Sequence, residues 1–352
     1  MGQLYIFARI LNFSKTLTHQ EIIEVQQLLS TRKSIVIVTH KNPDGDAMGS
    51  SLGLYNYLVR KKHRVKVVTP NGYPTFLQWL PGDDKVIEYS ETPDRAEAVI
   101  KKADIIFCLD FNALRRIGEV GILVKKTKAT KILIDHHLQP EKFADYMLCD
   151  KRSCSTSQLV FDFIAFLGDK KLVNKKIANC LYTGIMTDTL NFRVNTTSAH
   201  THRVTAELIE AGAQNTLAYM NVFDTNTENR VRMLGYALQK MTLLKEFNTA
   251  FISLSATELK KFGFQKGDTE GLVNYPLSVE GIRFSALFIE MKDEIKISFR
   301  SKGNFDVNKF ARKHFTGGGH LNAAGGEAHT MLDEVLTNFV NLLPEYKDQL
   351  LK

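Results

Sequence analysis

SIVIVT (34–39), HKNPDGD (40–46) and AMGSSLGLYNYLVRKK (47–62) follow one another in the chain, and their reading decides the fold. An unbroken β-branched and apolar run of this length reads as a strand buried on both faces. The third stretch repeats its apolar groups at helical spacing, so a polar loop joins a strand to a helix. Upstream, Thr18-His19-Gln20-Glu21 is a capping box ahead of a periodic run to Leu29, which predicts another helix. Downstream, strand-like runs recur at 65–68, 105–109 and 132–134, and residues 156–167 and 175–186 read as helices. Strands alternating with helices predict an α/β domain whose mostly parallel sheet is flanked by helices on both faces.

The texture changes near Ala213. AGAQNT and DTNTENR are small and polar, as in a connector. Beyond them come the strand patterns FISLS, RFSALFIEM and EIKISFRS, a helix capped by Asp306, a glycine-rich loop TGGGHLNAAGG and a last helix after Asp333. The expected organisation is a catalytic domain over 1–212, a linker over 213–234 and a smaller α+β domain over 235–352, with a cleft between the two domains.

Composition narrows the function classes. Of 352 residues, 44% are hydrophobic and 24% charged, which excludes disordered and collagen-like chains. The net charge of +8 suits an anionic partner. Cys108, Cys149, Cys154 and Cys180 form neither a CxxC pair nor a disulfide framework, and read as reduced thiols. No stretch approaches the ~18 apolar residues of a membrane span. The opening MGQLYIFARILNF is interrupted by Arg9 and lacks a small-residue cleavage site, so it does not read as a signal peptide. A cytoplasmic protein is expected.

Ligands of an open α/β sheet bind beyond the carboxyl ends of its strands. Four polar clusters fall where strands or helices should end: His40, Asp44 and Asp46; Asp110; Asp135, His136 and His137; and Asp188. One aspartate in such a place is ordinarily a turn residue or a cap. Several clusters at one topological position outweigh that reading. Asp44 and Asp46 would repel each other, and a bound cation removes the penalty. The donors are carboxylates and imidazoles without thiolate, a set that suits Mn²⁺, with Mg²⁺ as the alternative, better than structural zinc. Four carboxylates exceed the needs of one ion. A pair of ions ~3.5–4 Å apart, bridged by one carboxylate, uses them all and is chemistry for attack on phosphorus.

HKNPDGDAMGS, DFNALRRIG, IDHH and TGIMTDT resemble, in order, the four motifs of the DHH phosphoesterase superfamily. FRSKGNFDVNKFARKHFTGGGHLNAAGG resembles the C-terminal domain that accompanies DHH in one branch. DHH alone is a trivial tripeptide, but five blocks in the family order, from His40 to Gly326, are specific. Within the superfamily the pattern is similar to the NrnA type. The resemblance implies metal-dependent hydrolysis of very short oligoribonucleotides and dinucleotides, releasing 5′-mononucleotides, and of 3′-phosphoadenosine 5′-phosphate (pAp).

It places His40, Asp44 and Asp110 around one divalent ion, and Asp46, Asp110, His136 and Asp188 around the other, with Asp110 bridging. His137 corresponds to the histidine that faces the scissile phosphate; Asp135, from its place just before the pair, reads as support for a ligand. Arg300, Ser301, Gly317, Gly318, Gly319 and His320 correspond to the substrate clamp. Glycine there lets backbone amides approach a phosphate, and arginine can hold one bidentately. The chain departs from the family at Leu190, where many relatives have glycine, and at Pro140, Thr316 and Leu321.

The rival readings are a phosphodiesterase for cyclic di-AMP or linear pApA, a RecJ-like single-strand exonuclease and a catalytically silent nucleotide sensor. The exonuclease would need a longer basic channel with stacking platforms, and the complete ligand set disfavours the sensor. No membrane partner is implied, and a homodimer is the commonest assembly for such a chain. Arg115, Arg116, His63 and His314 read as surface residues.

Overall fold

The computed structural model describes residues 17–265 and 267–352, in two compact units that divide between Thr225 and Asn226. The opening apolar stretch read for a signal peptide lies outside the described residues. Among the described residues, no helix is long and apolar enough to cross a membrane.

The first unit follows the order α1 (His19–Leu28), β1 (Ser34–Thr39), α2 (Gly45–Arg60), β2 (Arg64–Thr69), β3 (Val86–Glu88), α3 (Pro93–Lys101), β4 (Ile105–Leu109), α4 (Glu119–Lys126), β5 (Thr130–Asp135), β6 (Tyr146–Cys149), α5 (Thr156–Phe166), α6 (Lys175–Asp188), α7 (Ala199–Glu210) and α8 (Asn215–Phe223). The expected capping box is formed: the Thr18 hydroxyl accepts from the Glu21 amide, and the Glu21 carboxylate from the Thr18 amide. The six strands pair in parallel in the order β3-β2-β1-β4-β5-β6. Successive side chains of a strand point to opposite faces. Ile35 and Ile37 therefore pack with the α2, α5 and α6 side, while Val36 and Val38 pack with α3 and α4. Burial on both faces explains why the strand sequences are continuous apolar runs. The strand order reverses between β1 and β4, which opens a crevice at their carboxyl ends.

The second unit comprises α9 (Glu228–Gln239), β7 (Thr242–Leu244), β8 (Thr249–Leu254), α10 (Ala256–Lys261), β9 (Phe284–Glu290), β10 (Ile295–Ser301), α11 (Val307–His314), β11 (Thr316–Gly319), β12 (Ala323–Ala328), α12 (Leu332–Leu342) and α13 (Lys347–Leu351). Its sheet, β11-β12-β10-β9-β8-β7, is antiparallel except for the parallel β8–β9 pair. One face carries Phe284, Phe288, Phe299, Phe310 and Phe339, with edge-to-face ring pairs such as Phe288–Phe299 at 5.1–6.4 Å. The other packs Ile252, Leu254, Leu287 and Ile289 against Met233 and Ala237 of α9. Asp306 caps α11 by accepting from the Lys309 amide.

Two stretches differ from their sequence reading. Residues 213–234, read as a connector, are mostly helical in α8 and α9. Their polar residues are a cap and solvent-facing positions: the Thr227 hydroxyl accepts from Arg230, while Ala218, Val222 and Met233 are buried. The glycine-rich stretch read as a loop is largely the β11–β12 hairpin. Glycine-rich composition signals a loop in isolation, but backbone pairing with β12 and β10 overrides it. A Cβ on Gly317 would stand 2.1 Å from the Gly325 carbonyl oxygen, so glycine is what allows these two strands to approach.

Candidate metal centre

Each acid of the first unit is aimed by a local device. Asp44 is the N-cap of α2: its Oδ1 accepts from the Asp46 and Ala47 amides, both at 3.0 Å, while Oδ2 lies 3.9 Å from His40 Nε2. One oxygen starts the helix and the other faces the crevice. Asp46, in the first turn of α2, is buried; its Oδ2 lies 3.9 Å from His136 Nε2.

Asp110 follows β4 with φ +65°. A left-handed backbone costs a non-glycine residue ~1–3 kcal/mol and persists where the surroundings enforce it. Here it sends Asp110 Oδ2 to 3.4 Å from His40 Nε2 and Oδ1 to 3.5 Å from His136 Nε2. The two oxygens of one carboxylate thus address two different clusters.

Asp188, at the end of α6, places Oδ2 3.6 Å from His136 Nε2. It arrives there because α2 and α6 pack closely and run antiparallel. A Cβ on Gly49 would stand 2.7 Å from the Cys180 carbonyl oxygen, and one on Gly45 would stand 2.3 Å from the Thr187 hydroxyl. The glycine spacing along α2 is the signal that sequence reading passed over.

All three imidazoles engage an oxygen through Nδ1: His40 the Lys41 carbonyl at 2.9 Å, His136 the Ser153 carbonyl at 3.3 Å and His137 the Asp135 carboxylate at 2.7 Å. Donation from Nδ1 fixes the tautomer that presents Nε2 as a ligand atom or proton carrier. The electrostatics is that of a strongly coupled cluster. Burial, followed by Asp110 and Asp188, drives the Asp46 carboxyl well above the usual carboxylate range. Burial also works against ionised Asp110, but the contact with His40 and the charges of His137 and His136 hold it below that range. Burial opposes charge on His40 and His136, yet Asp110 and Asp44 lift the first imidazole, and Asp110, Asp46 and Asp135 the second.

Among the described residues, the ligand-sized groups include His40 with Asp44 and Asp110, and Asp46 with His136 and Asp188. Donor atoms around a six-coordinate ion with bonds of ~2.1 Å lie ~3 Å apart, and the distances of 3.4–3.9 Å are that spacing slightly opened. With oxygen and imidazole donors throughout, the residues fit divalent cations.

In the second unit, Arg300 and Ser301 end β10, with Arg300 paired in register with Ala323 of β12. Its Nη1 donates to the Phe299 carbonyl at 2.9 Å. The buried Ser301 hydroxyl donates to Phe305 O at 2.7 Å and accepts from Asn322 Nδ2 at 2.9 Å, so it holds the hairpin turn together. Gly317, Gly318 and Gly319 form the outer strand β11, and His320 follows them. Asn308 of α11, which sequence reading also passed over, accepts from the Gly319 amide at 2.9 Å and from Arg312 Nε at 3.0 Å.

The histidines read as surface residues are more deeply placed. His63 is buried and accepts from the Lys33 amide at 3.2 Å, and burial, then Lys61 and Lys33, lower its pKa. His314 is half-buried against the Tyr346 hydroxyl at 2.6 Å. Arg115 is exposed and paired with Glu141 at 2.6 Å.

Residues 34–185 match the DHH family, N-terminal domain, and residues 248–347 match the DHHA1 domain. The chain is 33% identical over 293 residues to a bifunctional oligoribonuclease and PAP phosphatase, NrnA, of Thermus thermophilus, covering 83% of each chain. It is 28% identical over 332 residues to the enzyme of the same description from Bacillus subtilis, covering 92% of this chain and 99% of that one. Among solved structures, an exopolyphosphatase-related protein from Bacteroides fragilis is 42% identical, with a TM-score of 0.91 over 95% of this chain and 98% of its own.

Proposed function

We infer the function of this chain from its membership of the DHH family, to which it belongs, with a DHHA1 domain appended. It is a phosphoester hydrolase. Its substrates are short oligoribonucleotides, shortened by one 5′-mononucleotide at a time, and pAp; the bifunctional relatives and the arrangement of acids both support this reading. The observation that carries it is Asp110, whose two oxygens face His40 on one side and His136 on the other. A carboxylate so placed could serve both cations of a pair.

Two Mn²⁺ ions are the proposed occupants, with Mg²⁺ as the alternative, held by His40, Asp44 and Asp110 and by Asp46, Asp110, His136 and Asp188. Bound there, they would supply Lewis acidity toward phosphoryl oxygens and lower the pKa of water. The chain does the rest. Asp135, fully buried, orients His137 through the 2.7 Å contact, so His137 is set to hold or deliver a proton at the phosphate. Gly317 to Gly319, His320 and Arg300 are assigned to the far phosphate of a short substrate, where small residues admit close approach and guanidinium gives bidentate contacts.

The test is hydrolysis with manganese across di-, tri- and longer oligoribonucleotides, single-stranded DNA, cyclic di-AMP, pApA and pAp. Fastest turnover on the shortest RNAs, with release of phosphate from pAp, is the expected result. A preference for cyclic di-AMP or for long single strands overturns this substrate assignment within the same chemistry.

A further inference from the structure

The turn from β6 into α5, residues 153–157, lies outside the motifs that supply the ligands, yet it reaches three of them. The Ser153 carbonyl receives His136 Nδ1 at 3.3 Å. The amides of Thr156 and Ser157 donate to the two oxygens of Asp46, at 2.6 and 2.9 Å. The Thr156 hydroxyl donates to Asp110 Oδ1 at 2.9 Å. Thr156 is fully buried, and the Ser155 side chain caps the helix that carries it by accepting from Gln158. His40 and Asp44 are held by other means, through the Lys41 carbonyl and the amides of Asp46 and Ala47. The two halves of the centre therefore rest on different supports, and they meet at Asp110 and at the Asp46 amide that holds Asp44.

We propose that Thr156 is a positioning residue for the Asp46–His136–Asp188 half of the centre, fixing the rotation of the Asp110 carboxylate through its hydroxyl. Oδ1 faces that half and takes the Thr156 hydrogen bond on one lone pair, leaving the other for a cation; Oδ2 faces His40. Threonine, branched at Cβ, holds its hydroxyl in few rotamers, which makes the direction definite. Loss of the hydroxyl loosens the cation of that half and leaves the His40–Asp44 cation in place. This proposal rests on the two-cation reading given above.

Manganese is titrated into the metal-free full chain of wild type, Thr156→Val, Thr156→Ala and Thr156→Ser. Electron paramagnetic resonance reads free, isolated and spin-coupled ions, and thermal melts run in parallel. The valine and alanine variants, which keep the backbone amide to Asp46, are expected to retain one tight ion. They should bind the second about 10- to 100-fold more weakly, the usual effect of removing a group behind a ligand, and Thr156→Ser should restore it to within a few-fold. Two ions bound as tightly as in wild type, or both weakened alike with a lowered melt and no rescue by serine, overturn the role of Thr156. A wild-type chain that takes up a single ion overturns the two-cation reading itself and this proposal with it.

Discussion

In the first unit the strands run parallel and stop at the acids; in the second the polar stretch is itself a strand. The difference follows from pairing geometry. Parallel strands joined by crossovers all end on one edge, so the residues after β1, β4 and β5 gather at a single place. Antiparallel neighbours end on opposite edges and cannot collect strand-end side chains in that way. The second unit instead presents backbone, through the outer strand Thr316–Gly319, with glycine where a side chain would collide with Gly325. One sheet positions charged side chains and the other positions peptide groups.

The largest effect should come from testing this division directly. Asp110→Ala removes the carboxylate shared by both clusters and is expected to lower turnover on every substrate by roughly 10³-fold or more. His320→Ala is expected to raise KM for short phosphorylated substrates about 10-fold, with kcat changed far less. Equal losses of kcat in the two variants would break the contrast between a chemical unit and a substrate-holding unit.

A smaller effect concerns stability. Gly317→Ala forces β11 away from β12, because the new Cβ would lie 2.1 Å from an oxygen. The expected loss is ~1–3 kcal/mol in denaturant unfolding of the second unit, with manganese affinity unchanged. A manganese titration altered by this substitution would show that the two units do not divide the work as described.

The smallest effect lies beside the acids. Leu190 has φ +48°, followed by Asn191 and Phe192 at +59° and +66°, immediately after the helix that carries Asp188. The family resemblance marks this position as one where glycine is frequent, and the backbone gives the reason. A left-handed backbone costs an L-residue ~1–2 kcal/mol, while glycine adds ~0.4–1 kcal/mol of unfolded-chain entropy. Leu190→Gly should therefore stabilise by about half a kcal/mol, read as a rise of about 1 °C in Tm. A clear fall in Tm would show that the exposed leucine side chain contributes more than the strain it imposes.

Much of this was legible in the residues themselves. Ser34–Thr39 and Ile105–Leu109 read as strands because burial on both faces leaves an unbroken apolar signature. The clusters at His40, Asp110, His136 and Asp188 stood out because each follows such a run. Residues 213–234 and 316–326 misled for the converse reason: polar and glycine-rich composition reports the absence of a local apolar pattern, and here packing and strand pairing supply the order. His63 looked exposed amid Lys61, Lys62 and Arg64, yet its ring is buried beside Lys33, a contact 30 positions away in the chain.

Sequence alone determined which carboxylates and imidazoles close separate apolar elements, because periodicity and residue type are properties of short stretches. Only the tertiary structure decided that the oxygens of Asp110 look in two directions, that glycines let α2 and α6 bring Asp46 and Asp188 to the same imidazole, and that the Thr156 hydroxyl meets Asp110. Those facts depend on approach distances between segments up to about 140 residues apart (Asp46 to Asp188), set by backbone contact and a left-handed φ that no local pattern encodes.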